Sequence, residues 1–286
     1  MTRWPALSVI VPAYRQAPYI TACLDSIAQQ AYPGKLEVIV IDDGSDDDGA
    51  AIAEAHPSKP RVIRQANTGV SGARNRGFTE SSGELIAYLD ADDTWRSGKL
   101  VKQVRAHIDA GHPALSFTRY QRVAPDGQPV QHAPLHPAAS LVPSARRLIR
   151  QNFIGTSTVI VHRACVEQAG GFPTTHGLLR AGQDYALWLR IAARFPLIYI
   201  PELFTNYTVH PTNRVGTDPL KHHMGGISAL RALEDWAPGT IFSLTGMSLD
   251  AVLMLRRAKL LKDLAWRRAE YPADVWRRAV SMRGEL

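Results

Sequence analysis

Apolar residues along the first ninety positions alternate between two rhythms. Leu7 to Val11 is a short apolar run ended by Pro12, and from Pro18 to Gln30 apolar residues recur at helical spacing until Tyr32-Pro33-Gly34 stops them. A strand followed by a helix results, and the unit repeats. Leu36 to Ile41 reads as a strand ending in Asp42-Asp43-Gly44-Ser45, with a helix from about Asp47 to Ala55. Arg61 to Arg64 gives a third strand, Val70 to Ser81 a helix, and Glu84 to Leu89 a fourth strand ending in Asp90-Ala91-Asp92-Asp93. Strands that alternate with helices in this way form a mostly parallel central sheet with right-handed crossovers, and ligands lie beyond the carboxyl ends of its strands. The polar clusters after strands one, two and four therefore share one edge.

Beyond Ser97 the pattern loosens. It predicts a helix to about Ala110, a strand Ala114 to Thr118, a hairpin at Pro125-Asp126-Gly127 and a Pro- and His-rich loop from Pro129 to Pro143. Thr156 to Val161 reads as a strand, Arg163 to Ala169 as a helix closed by Gly170-Gly171, and Asp184 to Arg194 as an amphipathic helix. From about Thr217 the composition turns to Leu, Ala and Arg with helical periodicity, which sets a boundary near Asn213 to Pro219. The chain thus divides into an α/β domain over 1–215, with halves 1–112 and 113–215, and a helical C-terminal extension over 216–286.

Composition narrows the class. With 45% hydrophobic and 21% charged residues among 286, neither disorder nor a fibrous repeat fits. Cys23 and Cys165 lie far apart inside helical patterns, so both read as reduced core residues. No run of about eighteen apolar residues is present, and the N-terminal apolar run is too short for a signal peptide, so the expected setting is cytoplasmic. The net charge of +7 concentrates after Leu249, in Arg256, Arg257, Lys259, Lys262, Arg267, Arg268, Arg277, Arg278 and Arg283. With Leu253, Leu260, Leu261, Leu264, Trp266 and Trp276 among them, this stretch reads as helices packed on the domain or as a contact with an anionic membrane. No nucleic-acid partner is expected.

Chemistry gathers at the shared edge. Carboxylates packed together repel unless a cation sits between them, and Asp90-Ala91-Asp92 on a turn suits a hard ion that keeps phosphate and water as its other ligands. An isolated D-x-D can equally cap a helix; its place after the fourth strand argues for the ion. In the second acidic loop Gly44 allows a tight turn, and a carboxylate there can accept bonds from a base and ribose. Asn67, Gly69, Ser71, Arg74 and Asn75 open the next helix, where backbone N–H groups and one guanidinium could meet phosphate.

Four motifs then carry a resemblance: Ser8-Val9-Ile10-Val11-Pro12-Ala13-Tyr14, Asp42-Asp43-Gly44-Ser45, Asn67-Thr68-Gly69-Val70-Ser71-Gly72-Ala73-Arg74-Asn75 and Leu89-Asp90-Ala91-Asp92-Asp93. In this order and spacing they resemble the family 2 glycosyltransferases of the GT-A fold, over about residues 7–215. The resemblance implies an inverting transferase with a nucleotide-sugar donor, most often UDP-linked, and Mn²⁺ or Mg²⁺ as cofactor. It implies that Pro12, Ala13 and Tyr14 wall the base, Asp43 reads uracil or ribose, and Arg74 approaches the nucleotide, with Asn67 beside it. Asp92 would be the chief metal ligand, with Asp90 aiding through ribose or metal contact and Ala91 beside the nucleotide, and His210 would sit near the diphosphate and metal. Trp95, Lys99, Leu100 and Gln103 fit the sequel to the acidic triplet and read as packing and surface residues.

The catalytic base is implied to be Asp184, in Gln183-Asp184-Tyr185-Ala186-Leu187-Trp188, although Gln183 stands where the family usually has Glu. Without relatives in view, Asp184 could simply cap its helix. Gly170-Gly171-Phe172 matches a loop near the acceptor, which is implied to be a carbohydrate or lipid-linked hydroxyl in cell-surface polysaccharide or glycolipid synthesis. Two other classes remain open, a nucleotidyltransferase and a non-catalytic nucleotide- or carbohydrate-binding module. A dinucleotide oxidoreductase is disfavoured, since no G-x-G-x-x-G follows the first strand.

Overall fold

The computed structural model describes residues 3–130, 136–138, 140–174, 182–210 and 219–266. The first strand β1 (Leu7–Ala13) leads into α1 (Ile20–Ala28), β2 (Leu36–Asp42), α2 (Gly49–Ala55), β3 (Arg61–Arg64), α3 (Gly69–Glu80) and β4 (Leu85–Tyr88). These are the alternating units expected from the apolar rhythm, with ends moved by one or two residues. β1 is buried along its whole length and lies between β2 and β4, parallel to both, while β3 pairs parallel with β2. Leu7, Val9 and Val11 face a cluster with Ile20, Leu24, Leu100 and Val104, and Ile10 faces the opposite cluster with Tyr88, Phe172 and Trp188. Alternate residues of a strand point to opposite faces, so a strand covered on both reads as continuous apolar sequence.

The second half departs more from expectation. After the short β5 (Thr94–Trp95) and α4 (Lys99–Ala110) comes β6 (Leu115–Val123), longer than the predicted strand. Next is α5 (Ala145–Arg150), which the periodicity missed. The predicted strand over 156–161 is instead a tight turn, Thr156–Thr158, with only β7 (Ile160–His162) extended. Then follow α6 (Arg163–Ala169), α7 (Gln183–Ala192) and β8 (Leu197–Thr208), another element not foreseen. Pro201 disguised it, since proline is disfavoured inside strands except at bulges. It falls in such a bulge, between Ile200, paired with Thr118, and Leu203, paired with Arg119. One eight-stranded sheet results, in the order β3-β2-β1-β4-β7-β6-β8-β5. Strands β7 and β5 run antiparallel to their neighbours, and β6 and β8 are parallel.

The described residues of the C-terminal extension are helical, in α8 (Pro219–Trp236), α9 (Thr240–Thr245) and α10 (Leu249–Trp266). Ile227, Leu230, Leu233, Val252 and Leu253 join the core around Trp188, so these helices pack on the domain. Gly182, just before α7, has φ +91, and a Cβ there would collide with the Gly225 carbonyl of α8. The arginine-rich stretch beyond Trp266 and most of the Pro- and His-rich loop lie outside the described residues. Among the described residues no helix is long and apolar enough to cross a membrane. Cys23 and Cys165 are both free and buried.

His107 of α4 gives the fold an acid-sensitive point. Its ring is 7% exposed, with Nε2 at 2.9 Å from Ser116 Oγ and 3.2 Å from the Ile160 carbonyl. Burial, aided by His162 and His112, pushes its pKa down from 6.5 to about 4. Between those values the unfolded chain binds a proton that the folded chain refuses, so stability falls as pH drops through the window and is unaffected by this group above it. The loss approaches ~3 kcal/mol at the lower end. Urea unfolding at pH 7 and pH 4.5 should therefore show a smaller acid loss in His107→Gln than in the wild type; equal losses would remove His107 as the cause.

Candidate functional site

Since β1, β2 and β4 are parallel neighbours, their carboxyl ends bring Pro12-Ala13-Tyr14, Asp42-Asp43-Gly44-Ser45 and the acidic turn after Tyr88 to one edge. Ala13 is paired with Asp42. Tyr14, just beyond β1, is 43% exposed and carries the Arg15 guanidinium 5.2 Å from its ring centre. An exposed aromatic at a sheet edge offers a stacking face for a base.

Asp43 is 2% exposed, and its Oδ1 accepts from Gln65 Nε2 at 2.7 Å, from the Thr68 N–H at 2.8 Å and from Thr68 Oγ1 at 3.1 Å. It therefore secures the loop that opens α3 and carries the exposed Asn67. The turn itself needs Gly44: φ is +76, and a Cβ would lie 2.9 Å from the Asn67 nitrogen.

From α3, Arg74 reaches the acidic turn, donating from Nη2 to Asp90 Oδ1 at 2.6 Å. It is 5% exposed and rests 5.2 Å over the Phe172 ring. Burial works against the guanidinium's charge, yet the fields of Asp90 and Asp184 and the Asp90 hydrogen bond raise its pKa overall. Arg74 Nε and Ser71 Oγ are buried and have no hydrogen-bond partner among the described residues. Unmet polar groups at a sheet's ligand edge are the kind that a bound molecule satisfies. Asn75 grips the Gly170-Gly171-Phe172 loop, donating to the Phe172 carbonyl and accepting from its N–H, both at 2.8 Å. Helix α3 and the loop expected near the acceptor are thereby fastened together.

The three carboxylates of the turn occupy different environments. Asp92 Oδ2 lies 2.9 Å from His210 Nε2, and the imidazole packs edgewise on Tyr19 at 4.7 Å. Burial and the Asp90 charge raise the Asp92 pKa, with His210 opposing. Asp93 is 1% exposed and accepts from Ser157 Oγ at 2.5 Å and from the Thr208 N–H at 2.9 Å. Burial, then Asp92 and Asp90, lift its pKa well above the usual carboxylate range. Ala91 is buried between them. Helix capping does not explain this turn: the chain continues into β5, and α4 is capped by Gly98.

The residues fit a hard divalent ion. Among the described residues no group of three or more His, Cys, Asp or Glu side chains is arranged to hold a metal alone. A carboxylate and an imidazole in contact, next to a second carboxylate, make a partial donor set that an ion such as Mn²⁺ completes with phosphate and water.

Asp184 sits in the first turn of α7, after Gly182 as N-cap, so it is not the cap residue. Its Oδ2 accepts from Thr156 Oγ1 at 3.1 Å. Gln183 precedes it at the same helix start. The Thr156–Thr158 turn was not foreseen as part of the site. Three consecutive small hydroxyl residues after Gly155, interrupting an apolar pattern, were the available signal. Nor is Lys99 a surface residue, as its charge suggested. It is fully buried, with Nζ 2.5 Å from Gln103 Oε1, 3.3 Å from the Thr158 carbonyl and 4.4 Å from the Trp95 ring centre. Burial lowers its pKa well below the usual lysine range. Gln103 is likewise buried, donating to the same carbonyl and to Ser116 Oγ, both at 3.0 Å.

Comparison with known proteins places this geometry among relatives. Residues 8–166 match the family model described as Glycosyl transferase family 2. A Bacillus subtilis protein, TuaG, described as a teichuronic acid biosynthesis glycosyltransferase, is 33% identical over 196 residues, covering 67% of this chain and 74% of that protein. The chain spans 31% of the length of each of the next two curated relatives it matches. The fold aligns with S. aureus TarS 1–349 at a TM-score of 0.60 and 21% identity, covering 93% and 92% of the two chains, and TarS 1–349 has also been solved with UDP-GlcNAc. It also aligns with the mannosyltransferase PcManGT from Pyrobaculum calidifontis, in complex with GDP-Man and Mn²⁺, at a TM-score of 0.58 and 20% identity, covering 98% and 80%.

Proposed function

This chain belongs to glycosyl transferase family 2, and from that premise we propose that it moves a sugar from a nucleotide diphosphate donor, a UDP-sugar, onto an acceptor hydroxyl with inversion, in cell-surface polysaccharide or glycolipid synthesis. The observation that carries the reading is the position of Arg74, a buried guanidinium bonded to Asp90 and near enough to Asp184 for both carboxylates to favour its charge. This supports a scheme in which the acidic turn and the base face one region.

In this scheme Tyr14 stacks on the base, Pro12 and Ala13 wall it, and Asp43 accepts from base or ribose while Asn67 borders the ribose. Asp90 and Ala91 line the nucleotide side of the turn, and Arg74 and Ser71 turn their unmet polar atoms toward phosphate. Asp92 and His210 hold a divalent ion, Mn²⁺ or Mg²⁺, which when bound supplies charge neutralisation to the departing diphosphate. Asp184 accepts the acceptor hydroxyl's proton as that oxygen attacks the anomeric carbon from the face opposite the diphosphate. One displacement inverts the centre, and Thr156 keeps the receiving carboxylate oriented. The UDP-GlcNAc complex of TarS and the GDP-Man and Mn²⁺ complex of PcManGT support the donor class and the metal.

A panel of UDP- and GDP-sugars with Mn²⁺ and polysaccharide or lipid-linked acceptors tests this. Release of nucleoside diphosphate coupled to glycosylated product, best with a UDP-sugar, is expected. Pyrophosphate release from a nucleoside triphosphate and a sugar phosphate, with no activity on the panel, would instead favour a nucleotidyltransferase.

A further inference from the structure

The acidic turn lies about ninety residues before Asp184 in sequence, yet two adjacent side chains touch both. Ser157 Oγ donates to Asp93 Oδ2 at 2.5 Å and accepts the Asp90 backbone N–H at 3.1 Å, spanning the turn from the main chain of its first aspartate to the carboxylate of its last. Thr156 Oγ1 donates to Asp184 Oδ2 at 3.1 Å. We infer that Thr156 and Ser157 are paired positioning residues: Ser157 fixes the acidic turn, Thr156 aims the catalytic base, and the bond between them sets the spacing of the two centres. The inference rests on the transferase reading and adds to it residues that touch neither substrate.

The surroundings make the turn a rigid spacer. Thr156, Ser157 and Thr158 are 7%, 3% and 1% exposed. The Ser157 carbonyl accepts from Trp95 Nε1 at 2.7 Å and from Thr205 Oγ1 at 3.3 Å. The Thr158 carbonyl accepts from the buried Lys99 Nζ at 3.3 Å and from Gln103 Nε2 at 3.0 Å, and its hydroxyl donates to the Gly155 carbonyl at 2.6 Å. Contacts therefore arrive from β5, α4 and β8. Consecutive Cα atoms across a trans peptide stay 3.8 Å apart, so a turn held on both sides cannot let one centre drift from the other. Lys99 and Gln103, which no substrate contact explains, serve as its anchors.

Adjacent residues with different targets should fail differently. Thr156→Val keeps the shape and removes the hydroxyl; kcat should fall about tenfold, the worth of one hydrogen bond to a charged group, with UDP–Mn²⁺ affinity unchanged. Thr156→Ser should restore wild-type behaviour. Ser157→Ala should instead weaken UDP–Mn²⁺ binding about tenfold, by freeing the acidic turn. Calorimetric titration of UDP with Mn²⁺ and donor turnover on the same four chains give both readouts. If Thr156→Val turns over as fast as an active wild type, or if both variants lose binding and turnover in equal measure, the positioning pair is refuted. A wild-type chain that neither binds UDP–Mn²⁺ nor turns over any nucleotide sugar would overturn the transferase reading as well.

Discussion

Asp184→Asn is expected to lower transferase turnover by about 10²- to 10⁴-fold, the usual contribution of a positioned general base, and to leave donor affinity within about twofold of the wild type. The asymmetry follows from where the residue sits. Asp184 lies on α7, while the residues assigned to the nucleotide come from β1, β2, α3 and the turn after β4. An amide preserves size and still offers an oxygen to Thr156 Oγ1, so helix start and fold are retained. What is lost is the capacity to take a proton, and an uncharged amide cannot substitute for it. Its hydrogen bonds go to Thr156 and to its own helix, and Arg74 keeps its bond to Asp90 in the variant, so donor binding should register the change only weakly. Paired measurement of kcat and of UDP-sugar dissociation checks both limbs. A variant as active as the wild type would show that another group accepts the proton, and a chain with neither activity to lose nor any response to the change would indicate a non-catalytic binding module.

Asp92→Ala should act at the other centre, reducing turnover by about 10³-fold and abolishing the gain in thermal stability that Mn²⁺ with UDP confers on the wild type. The reasoning begins with electrostatics. Burial and the neighbouring Asp90 both raise the Asp92 pKa, and the 2.9 Å contact with His210, helped by a backbone hydrogen bond, offsets them only in part. A charge held against those forces destabilises the empty protein, so its removal should leave the melting temperature of the metal-free chain unchanged or higher. Loss of function without loss of fold is the signature expected of a residue kept for a ligand. A variant that melts lower yet still responds to Mn²⁺ and UDP would mark Asp92 as structural. Asp93 should behave in the opposite way, because its bonds to Ser157 and the Thr208 N–H make it part of the scaffold.

Much of the N-terminal half is legible in the sequence because its physics is local. A parallel strand covered on both faces reads as an apolar run, and the residues that end it are those that turns require. Hence β1, β2 and β4 and their polar loops fell where the pattern put them. The second half hides its elements for identifiable reasons. β8 carries Pro201 and the exposed Glu202 at a bulge, which split its apolar residues into two short pieces and leave a polar stretch, Thr205 to Thr208, at its end. The Thr156–Thr158 turn is defined by hydroxyl contacts to Asp93 and Asp184, partners that no local window contains. Lys99 was misread because a charged residue on an amphipathic helix normally faces water. Here the carbonyl of Thr158 and the side chain of Gln103 receive it inside. Asp43 shows a further limit: the turn motif located it, but its hold on Gln65 and Thr68 appears only in three dimensions.

The claim on which the scheme turns is that carboxylates from the acidic turn hold a divalent ion together with the donor's phosphates. Paramagnetic resonance of Mn²⁺ titrated into the intact chain, with and without UDP, measures this directly. The account predicts that UDP sharply increases the loss of the free-ion signal, to one Mn²⁺ per chain, and that Asp92→Ala abolishes the effect. UDP binding of equal strength in excess chelator, with the Mn²⁺ signal unaltered by protein, would contradict it.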